Sequence, residues 1–316
     1  MEEYISSTRR KFIKSAAGIL GYSALTAKTP WLQLENKDIA LTILHTNDWH
    51  SRIDPFPKDD PKYPGKGGAA RRAALIQEIR KNTSNVLLLD AGDVFQGTPY
   101  FNFYAGEPEF RLMSKMGYDA CTLGNHDFDN GIEGLVEMLP HAQFPFVNCN
   151  YDFGNTALNG KIEKFIILKK SGLKIGITGV GIDLEGLVPS KNHKGIHYNN
   201  PIECAELQAY KLKSQHKCDL VICLSHIGYE YPNYKVSDRM LAAGSENIDL
   251  IIGGHTHTFL ESPVVIANKI GKPVTINQVG WAGLRLGRID YLFSSRNNKG
   301  IADFSRIEVF KKSIAI

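Results

Sequence analysis

Aspartate, histidine and asparagine recur in this sequence at short intervals, each time at the end of an apolar run. Asn47-Asp48-Trp49-His50 follows IALTILHT, Gly92-Asp93 follows NVLLLDA, and Gly124-Asn125-His126-Asp127-Phe128-Asp129 follows DACTL. His226 closes DLVICLSH, and Gly254-His255-Thr256-His257 follows DLIIG. Carboxylates and imidazoles mixed in this way suit borderline divalent ions such as zinc, manganese, iron(II) or cobalt. Asp48, His50, Asp93, Asn125, His226, His255 and His257 make seven candidate ligands. That is too many for one tetrahedral zinc and about right for two divalent metal ions sharing a carboxylate.

Spacing adds to the pattern. In extended backbone, residues i and i+2 point the same way, so Asp48 with His50, and His255 with His257, are expected to reach one side. Glycines at 92, 124, 253 and 254 let the chain turn sharply just before the ligands. A lone DxH or HxH is an everyday accident, and GNHDFD alone could close a tight turn on its own side-chain hydrogen bonds. Five such motifs at strand ends, in one order, are not explained that way. His45, His141, His193, His197 and His216 lack this setting and are read as ordinary structural histidines.

The elements that must position these residues are short and β-rich. Expected strands are IALTILHT (39–46), NVLLLDA (85–91), DACTLG (119–124), FPFVNCN (144–150), FIILKK (165–170), KIGITGVG (174–181), DLVICLS (219–225), DLIIGG (249–254) and VTINQVG (274–280). RLGRIDYLF and FSRIEVF read as an edge hairpin around SSRNNKG. Several runs are apolar on both faces, as strands buried between layers are. Helical patterns lie at GGAARRAALIQEIRKN, where Leu75, Ile76 and Ile79 share a face, and at NPIECAELQAYKLKSQHK. In the second, Asn200 is the expected N-cap, Pro201 the first helical residue, and Ile202, Ala205, Ala209 and Leu212 the buried stripe. The alternation argues for one α/β domain of layered sheets and helices. The polar residues sit at the C-terminal ends of its strands, where sites assemble in such folds.

With 316 residues, 43% hydrophobic and 22% charged, the chain can bury a substantial core without disulfides. Five cysteines without CxxC spacing demand none. The net charge of +4 is spread along the chain, and no basic stripe interleaved with aromatics predicts binding to a nucleic-acid polymer. Residues 8–14 read TRRKFIK, followed by the weakly apolar SAAGILGYSALTA that ends at Ala27. Paired arginines, then Phe, an aliphatic residue and Lys, resemble a twin-arginine export signal. The apolar stretch falls well short of the roughly 20 residues that span a bilayer. Residues 1–27 are therefore read as a signal, 28–38 as a linker and 39–316 as the catalytic domain, with a periplasmic or other extracytoplasmic location. Leu25-Thr26-Ala27 is a weak cleavage site, so an uncleaved, tethered form is the alternative. No other transmembrane segment is expected.

Taken in order, DxH, GDxxQG, GNHD, a lone histidine after a strand, and GGHTH resemble the calcineurin-like metallophosphoesterases. The strings HTNDWH, AGDVFQGTP, LGNHDFDNG and GGHTH are similar to the branch of 5′-nucleotidases and UDP-sugar hydrolases. The resemblance implies a four-layer α/β/β/α sandwich of the metallophosphoesterase type with a dimetal site at the strand ends. By matched position it implies that Asp48, His50 and His257 hold one metal, that Asn125, His226 and His255 hold the other, and that Asp93 bridges them. His257 departs from the glutamine found there in some relatives, which bears on metal preference. His126 matches a histidine that binds neither metal but contacts the substrate with Asn125, and Asp129 matches the carboxylate that orients it. The implied reaction is in-line attack on phosphorus by a hydroxide bridging the two metals, with His126 stabilising the leaving oxygen.

Larger members carry a C-terminal domain that grips the nucleotide. This chain ends at Ile316, so the resemblance implies that the domain is absent, and a separately encoded recognition subunit is one way to replace it. Tyr100, Phe101, Phe103 and Tyr104 form an aromatic cluster near the site, expected to serve packing, with base stacking as the alternative. The foremost function is hydrolysis of a small phosphorylated substrate, a nucleotide, in the manner of a 5′-nucleotidase. Alternatives on the same metals are a UDP-sugar hydrolase, a cyclic-nucleotide phosphodiesterase and a sulfur-ester hydrolase. A different class would be a non-catalytic binding partner, which has no need for the complete ligand set and the His126–Asp129 pair.

Overall fold

Strands that are apolar on both faces need cover on both faces, and here two stacked sheets supply it. The computed structural model describes residues 39–293 and 300–309. The segments expected to be a signal and a linker, residues 294–299 and residues 310–316 lie outside the described residues. In the first sheet β1 (Ile39–Thr46), β2 (Val86–Asp90) and β3 (Ala120–Cys121) run parallel. The antiparallel strands β12 (Arg285–Phe293) and β13 (Gly300–Glu308) complete it in the order β13-β12-β1-β2-β3.

The second sheet has the order β10-β11-β9-β8-β6-β5. Its parallel centre is β6 (Leu173–Gly181), β8 (Leu220–His226), β9 (Leu250–Gly253) and β11 (Pro273–Asn277). β5 (Phe165–Lys170) and β10 (Val264–Ala267) are its antiparallel edges. A two-stranded ribbon, β4 (Tyr151–Asp152) with β7 (His197–Tyr198), stands apart.

Three apolar layers follow from this stacking. Between the sheets Ile43, Leu87 and Leu89 meet Ile177, Ile222, Leu224 and Leu250. Outside the first sheet Leu44 and Leu88 are covered by α1 (Ala69–Asn82) through Ile76 and by α3 (Glu107–Met116) through Phe110 and Met113. The short α2 (Pro99–Tyr104) and α4 (Gly131–Met138) join them through Phe101 and Leu135. Outside the second sheet Val221, Cys223 and Ile251 are covered by α5 (Pro201–Tyr210) and α6 (Asp238–Gly244). This is the expected α/β/β/α sandwich. Asn200 caps α5 by accepting from the amides of Ile202 (3.0 Å) and Glu203 (3.4 Å). All five cysteines are free thiols, and no described helix is long and apolar enough to cross a membrane.

Two expected strands change. DACTLG contracts to Ala120–Cys121, and FPFVNCN forms no strand, only single bridges from Phe146 to Cys121 and from Val147 to Glu163. Pro145 has no amide to give a ladder, and the Asn148 side chain then turns the chain by accepting from the amides of Asn150 and Tyr151. The parallel registers place the site. Thr46 lies opposite Asp90, and Ser225 opposite Gly253, so the ligand loops leave each sheet level with one another.

His45 faces the gap between the sheets. It is fully buried, Asn277 donates to its Nε2 at 2.8 Å, and burial lowers its pKa to about 3. The native state refuses a proton that the unfolded chain accepts at about 6.5. Its contribution is therefore complete above pH 6.5 and is lost as pH falls from there toward 3, by up to about 1.4 kcal/mol per pH unit. Denaturant midpoints at pH 7.5 and 5.5 are expected to separate less in His45→Gln than in the wild type. An equal separation would show that His45 is not a source of acid sensitivity.

Candidate metal centre

The ligand loops are held to each other before they hold anything else. Asp48, His50 and Ser51 donate their amides to the carbonyls of Gly92 (2.9 Å), Asp93 (3.0 Å) and Val94 (2.9 Å). This continues the β1–β2 pairing past the strand ends. The backbone there is not extended, however. Asp48, His50, Asp93, His255 and His257 have φ of 50°, 51°, 55°, 71° and 52°. That left-handed region is unfavourable for residues with a Cβ, by roughly 1–2 kcal/mol each. The side chains of each pair therefore converge through twisted loops, not through the strand alternation expected from i, i+2 spacing.

Asp127 fixes both central loops. Its Oδ2 accepts from the amides of Gly124 (2.8 Å) and Asp93 (3.2 Å), and its Oδ1 from those of Val94 (3.0 Å) and Phe95 (3.3 Å). It is buried, as is Asp90, which accepts from the Gly92 amide at 2.9 Å and from the Thr46 hydroxyl at 2.5 Å. Gly124 has no room for a Cβ, because one would run into Asp93. Asn47 steadies Asp48 from the other side, donating to its Oδ2 at 2.6 Å. The His255 amide donates to both Asp48 oxygens, at 3.0 and 3.1 Å.

The side chains gather into three overlapping groups: Asp48 with His50 and His257, His50 with Asp93 and His126, and Asp93 with His226 and His255. Asn125 joins the last, its Oδ1 lying 2.8 Å from His255 Nδ1. Asp48, Asp93 and His226 are essentially inaccessible, while His126, His255 and His257 are partly open to solvent. All seven candidate ligands and the His126–Asp129 pair thus lie at one end of the sandwich.

The proton inventory explains why this arrangement calls for cations. His226 Nδ1 donates to the Ala91 carbonyl at 2.6 Å, so Nε2 is the atom left to hold a proton or a cation, and it faces Asp93 Oδ2 at 3.0 Å. Likewise His50 Nδ1 donates to the Gln96 carbonyl at 3.1 Å, and its Nε2 faces His257 Nε2 at 2.9 Å. Two lone pairs in contact repel unless a proton or a cation lies between them. Ligand bonds of about 2.0–2.2 Å place adjacent donors on one cation about 3 Å apart, which these contacts match. Burial pushes the Asp93 carboxyl up, but His226, His50 and His126 outweigh it and hold it well below the ordinary carboxylate range. Burial likewise pushes His226 down, and Asp93 and Asp48 carry it well above the usual imidazole value. His255 is lowered to about 4 by burial and by His226, and His50 is lowered by burial, so both offer lone pairs.

His126 is set apart by its partner. Asp129 Oδ2 accepts from His126 Nδ1 at 2.8 Å, and that bond raises the imidazole's pKa against burial. The His126 amide donates to Asp93 Oδ1 at 2.8 Å, which places His126 beside that carboxylate. Three contributors escaped the sequence reading. Asp127 and Asn47 adjoin ligands in their motifs, and only the folded loops reveal what they bind. Trp281 lies far from any motif, yet its indole stacks on the His257 ring at 5.4 Å with a 4° interplanar angle. The sequence offered only its position just after an expected strand.

A four-layer sandwich with Asp, His and Asn donors crowded at its strand ends defines a candidate centre for divalent cations. The particular family follows from comparison. Residues 41–259 match the calcineurin-like phosphoesterases, and the chain belongs to that family. Over 278 residues it is 36% identical to the snake venom 5′-nucleotidase of Gloydius brevicauda, covering 82% of this chain and 46% of that one. The fold matches a 5′-nucleotidase precursor from Thermus thermophilus with a TM-score of 0.78 at 31% identity, over 86% of this chain and 55% of that one. It matches the NAD nucleotidase of Haemophilus influenzae with a TM-score of 0.73 at 27% identity, over 86% and 57%. The chain thus spans about half the length of these relatives.

Removing the Asp127 carboxylate would strand four buried amides, each at about 1–3 kcal/mol. Asp127→Ala is expected to melt at markedly lower temperature. Asp127→Asn, which keeps the shape but turns an NH2 group toward two of those amides, is expected to fold and bind manganese about 10–100-fold more weakly. Calorimetric titration of metal-stripped protein measures this. Unchanged affinity in Asp127→Asn would remove the residue from the support of the centre.

Proposed function

We propose that this chain is a dimetal phosphomonoesterase of 5′-nucleotidase type, acting outside the cytoplasm. The observation that carries this reading is the coexistence of two features at one end of the fold. One is a set of Asp and His donor atoms converging within reach of common cations, and the other is a separate, carboxylate-oriented imidazole, His126 with Asp129. A binding module would need neither the convergence nor the extra imidazole. Asp48, His50 and His257 would hold one divalent cation, Asn125, His226 and His255 the other, and Asp93 would bridge them. When bound, the pair supplies the Lewis acidity that activates water at neutral pH and offsets the charge of the phosphate.

The residues divide the remaining work. The His126 amide donates to Asp93, and Asn125 and His126 would contact the substrate's phosphoryl oxygens. His126, whose proton affinity Asp129 raises, donates a hydrogen bond or proton to the leaving alkoxide, the role for which a positioned imidazole is suited. Because Asp129 occupies Nδ1, Nε2 is the atom available for this transfer. Buried Asp93 and His226 keep bulk water from competing for the inner donors, which strengthens charge–charge interactions at the site.

Two supports come from the relatives. The matched sequence is a nucleotidase from venom, and both matched structures are named nucleotidases. The venom relative supports a place outside the cytoplasm, and the TRRKFIK segment alone supports the twin-arginine route to it.

The test is hydrolysis by the metal-stripped chain resupplied with manganese, zinc, cobalt or calcium. The substrates are AMP, p-nitrophenyl phosphate, its bis-ester, cyclic AMP and UDP-glucose. Metal-dependent release of phosphate from AMP is expected. Turnover of the diester or of UDP-glucose in preference to AMP would replace the monoesterase reading, and no turnover with two ions bound would end the enzyme reading. His126→Ala is expected to lower kcat by about 10²–10⁴ with bound metal unchanged; loss of metal would move His126 into the ligand set.

A further inference from the structure

One wall of the metal centre is shared with a second, unassigned recess. Trp281 stacks on His257 and stands edge-on to His50 at 6.3 Å. It also makes edge contacts with Phe56 at 5.9 Å and Tyr63 at 6.4 Å. Tyr63 in turn lies 6.5 Å from Phe259, their rings 37° apart. Tyr63 and Phe259, with Lys66, Leu284, Arg285 and Glu308, line a recess of about 640 Å³. The recess begins one indole away from two candidate ligands of the same cation.

The walls are set in place by the backbone. Phe259 lies against Gly280, which has φ of 83° and where a Cβ would run into the ring. The Gly280 amide donates to the Thr258 carbonyl at 3.0 Å, and Phe259 forms an isolated bridge with Val279. The loop after β9 and the loop after β11 are thus locked together, so the segments that carry His257 and Phe259 cannot move independently of Trp281.

The charges narrow the ligand. Arg285 is committed to Glu308 at 2.5 Å and to Glu261 at 3.3 Å, and its guanidinium lies over Phe259 at 4.9 Å. A recess whose arginine is already matched by two carboxylates is poorly suited to a second phosphate. It is well suited to a flat, neutral ring with donors and acceptors on its edge. The ring can pack against Tyr63 and Phe259, offer donors to Glu308 and accept from Lys66. Such stacking against aromatic side chains tolerates any base, because every base has a π-face.

The other aromatic cluster is a weaker candidate. Phe101 is buried against Phe95, whereas Phe103 is 80% exposed on a helix of six residues. A side chain standing that far out can cover one face of a ring but cannot enclose it.

We propose that the Tyr63–Phe259 recess receives the nucleobase of a nucleoside 5′-monophosphate whose phosphate lies at the cation site, with Trp281 as the wall between them. This rests on the phosphomonoesterase reading and adds a means of choosing nucleotides within this domain. The test is kcat/KM of the manganese-loaded full chain for AMP and for ribose 5-phosphate, which has the same ester and no base. In Tyr63→Leu and in Phe259→Leu the AMP-to-ribose 5-phosphate ratio is expected to fall about tenfold. Should Phe259→Leu fail to fold, Tyr63→Leu carries the comparison. A ratio unchanged in these variants, or one that falls only in Phe103→Ala, overturns the recess while leaving the phosphomonoesterase intact. A wild type that hydrolyses neither ester defeats the phosphomonoesterase reading, and the recess proposal falls with it.

Discussion

One carboxylate that is not itself a candidate ligand organises the ligand-bearing end of this fold. Asp127 accepts four amide hydrogen bonds, drawn from the loop that carries Asp93 and from the turn that carries Asn125 and His126. These loops come from neighbouring strands of the first sheet, and nothing in a β-ladder specifies how far apart their tips should lie. The two oxygens of Asp127 set that distance. Through the amide-to-carbonyl bonds between residues 48–51 and 92–94, the same anchor reaches the loop of Asp48 and His50. The second sheet then has only to bring His226, His255 and His257 up to a surface already shaped.

That surface is built in tension with ordinary folding preferences. Five candidate ligands adopt left-handed backbone, and donor atoms of the ligand set lie about 3 Å apart, close enough to need a proton or a cation between them. A protein selected for stability alone would avoid both features, so their concentration at one place marks a functional site. The three apolar layers carry the opposing stability, with the innermost between the sheets directly beneath the site. Cations relieve the lone-pair repulsion, so metal binding and the stability of the loops are linked.

Much of this was legible in the sequence, for reasons specific to its parts. The bounds of β1, β5 and β12 agree with the reading because apolar runs in the first two and an alternating pattern in the third stop at polar residues. The ligands were visible because each one follows such a run directly, so position along the chain translated into position in space. FPFVNCN misled because Phe144 and Phe146 are core residues of the helical layer, packed on Phe110, and not members of a ladder. The helices over Pro99–Tyr104, Glu107–Met116, Gly131–Met138 and Asp238–Gly244 went unread because six to ten residues show too few turns for a period to emerge. Asp127 and Trp281 were illegible for a different reason. Their roles are contacts between loops, and no spacing within a single segment encodes such a contact.

The most direct test is to locate the ions. Crystals of the full chain grown with manganese should give two anomalous peaks per chain, about 3.5–4 Å apart. Asp93 should lie between them, with Asp48, His50 and His257 around one and Asn125, His226 and His255 around the other. A single peak, or a pair of peaks that leaves His226 and Asn125 uncoordinated, would contradict the dimetal centre on which the proposed chemistry stands.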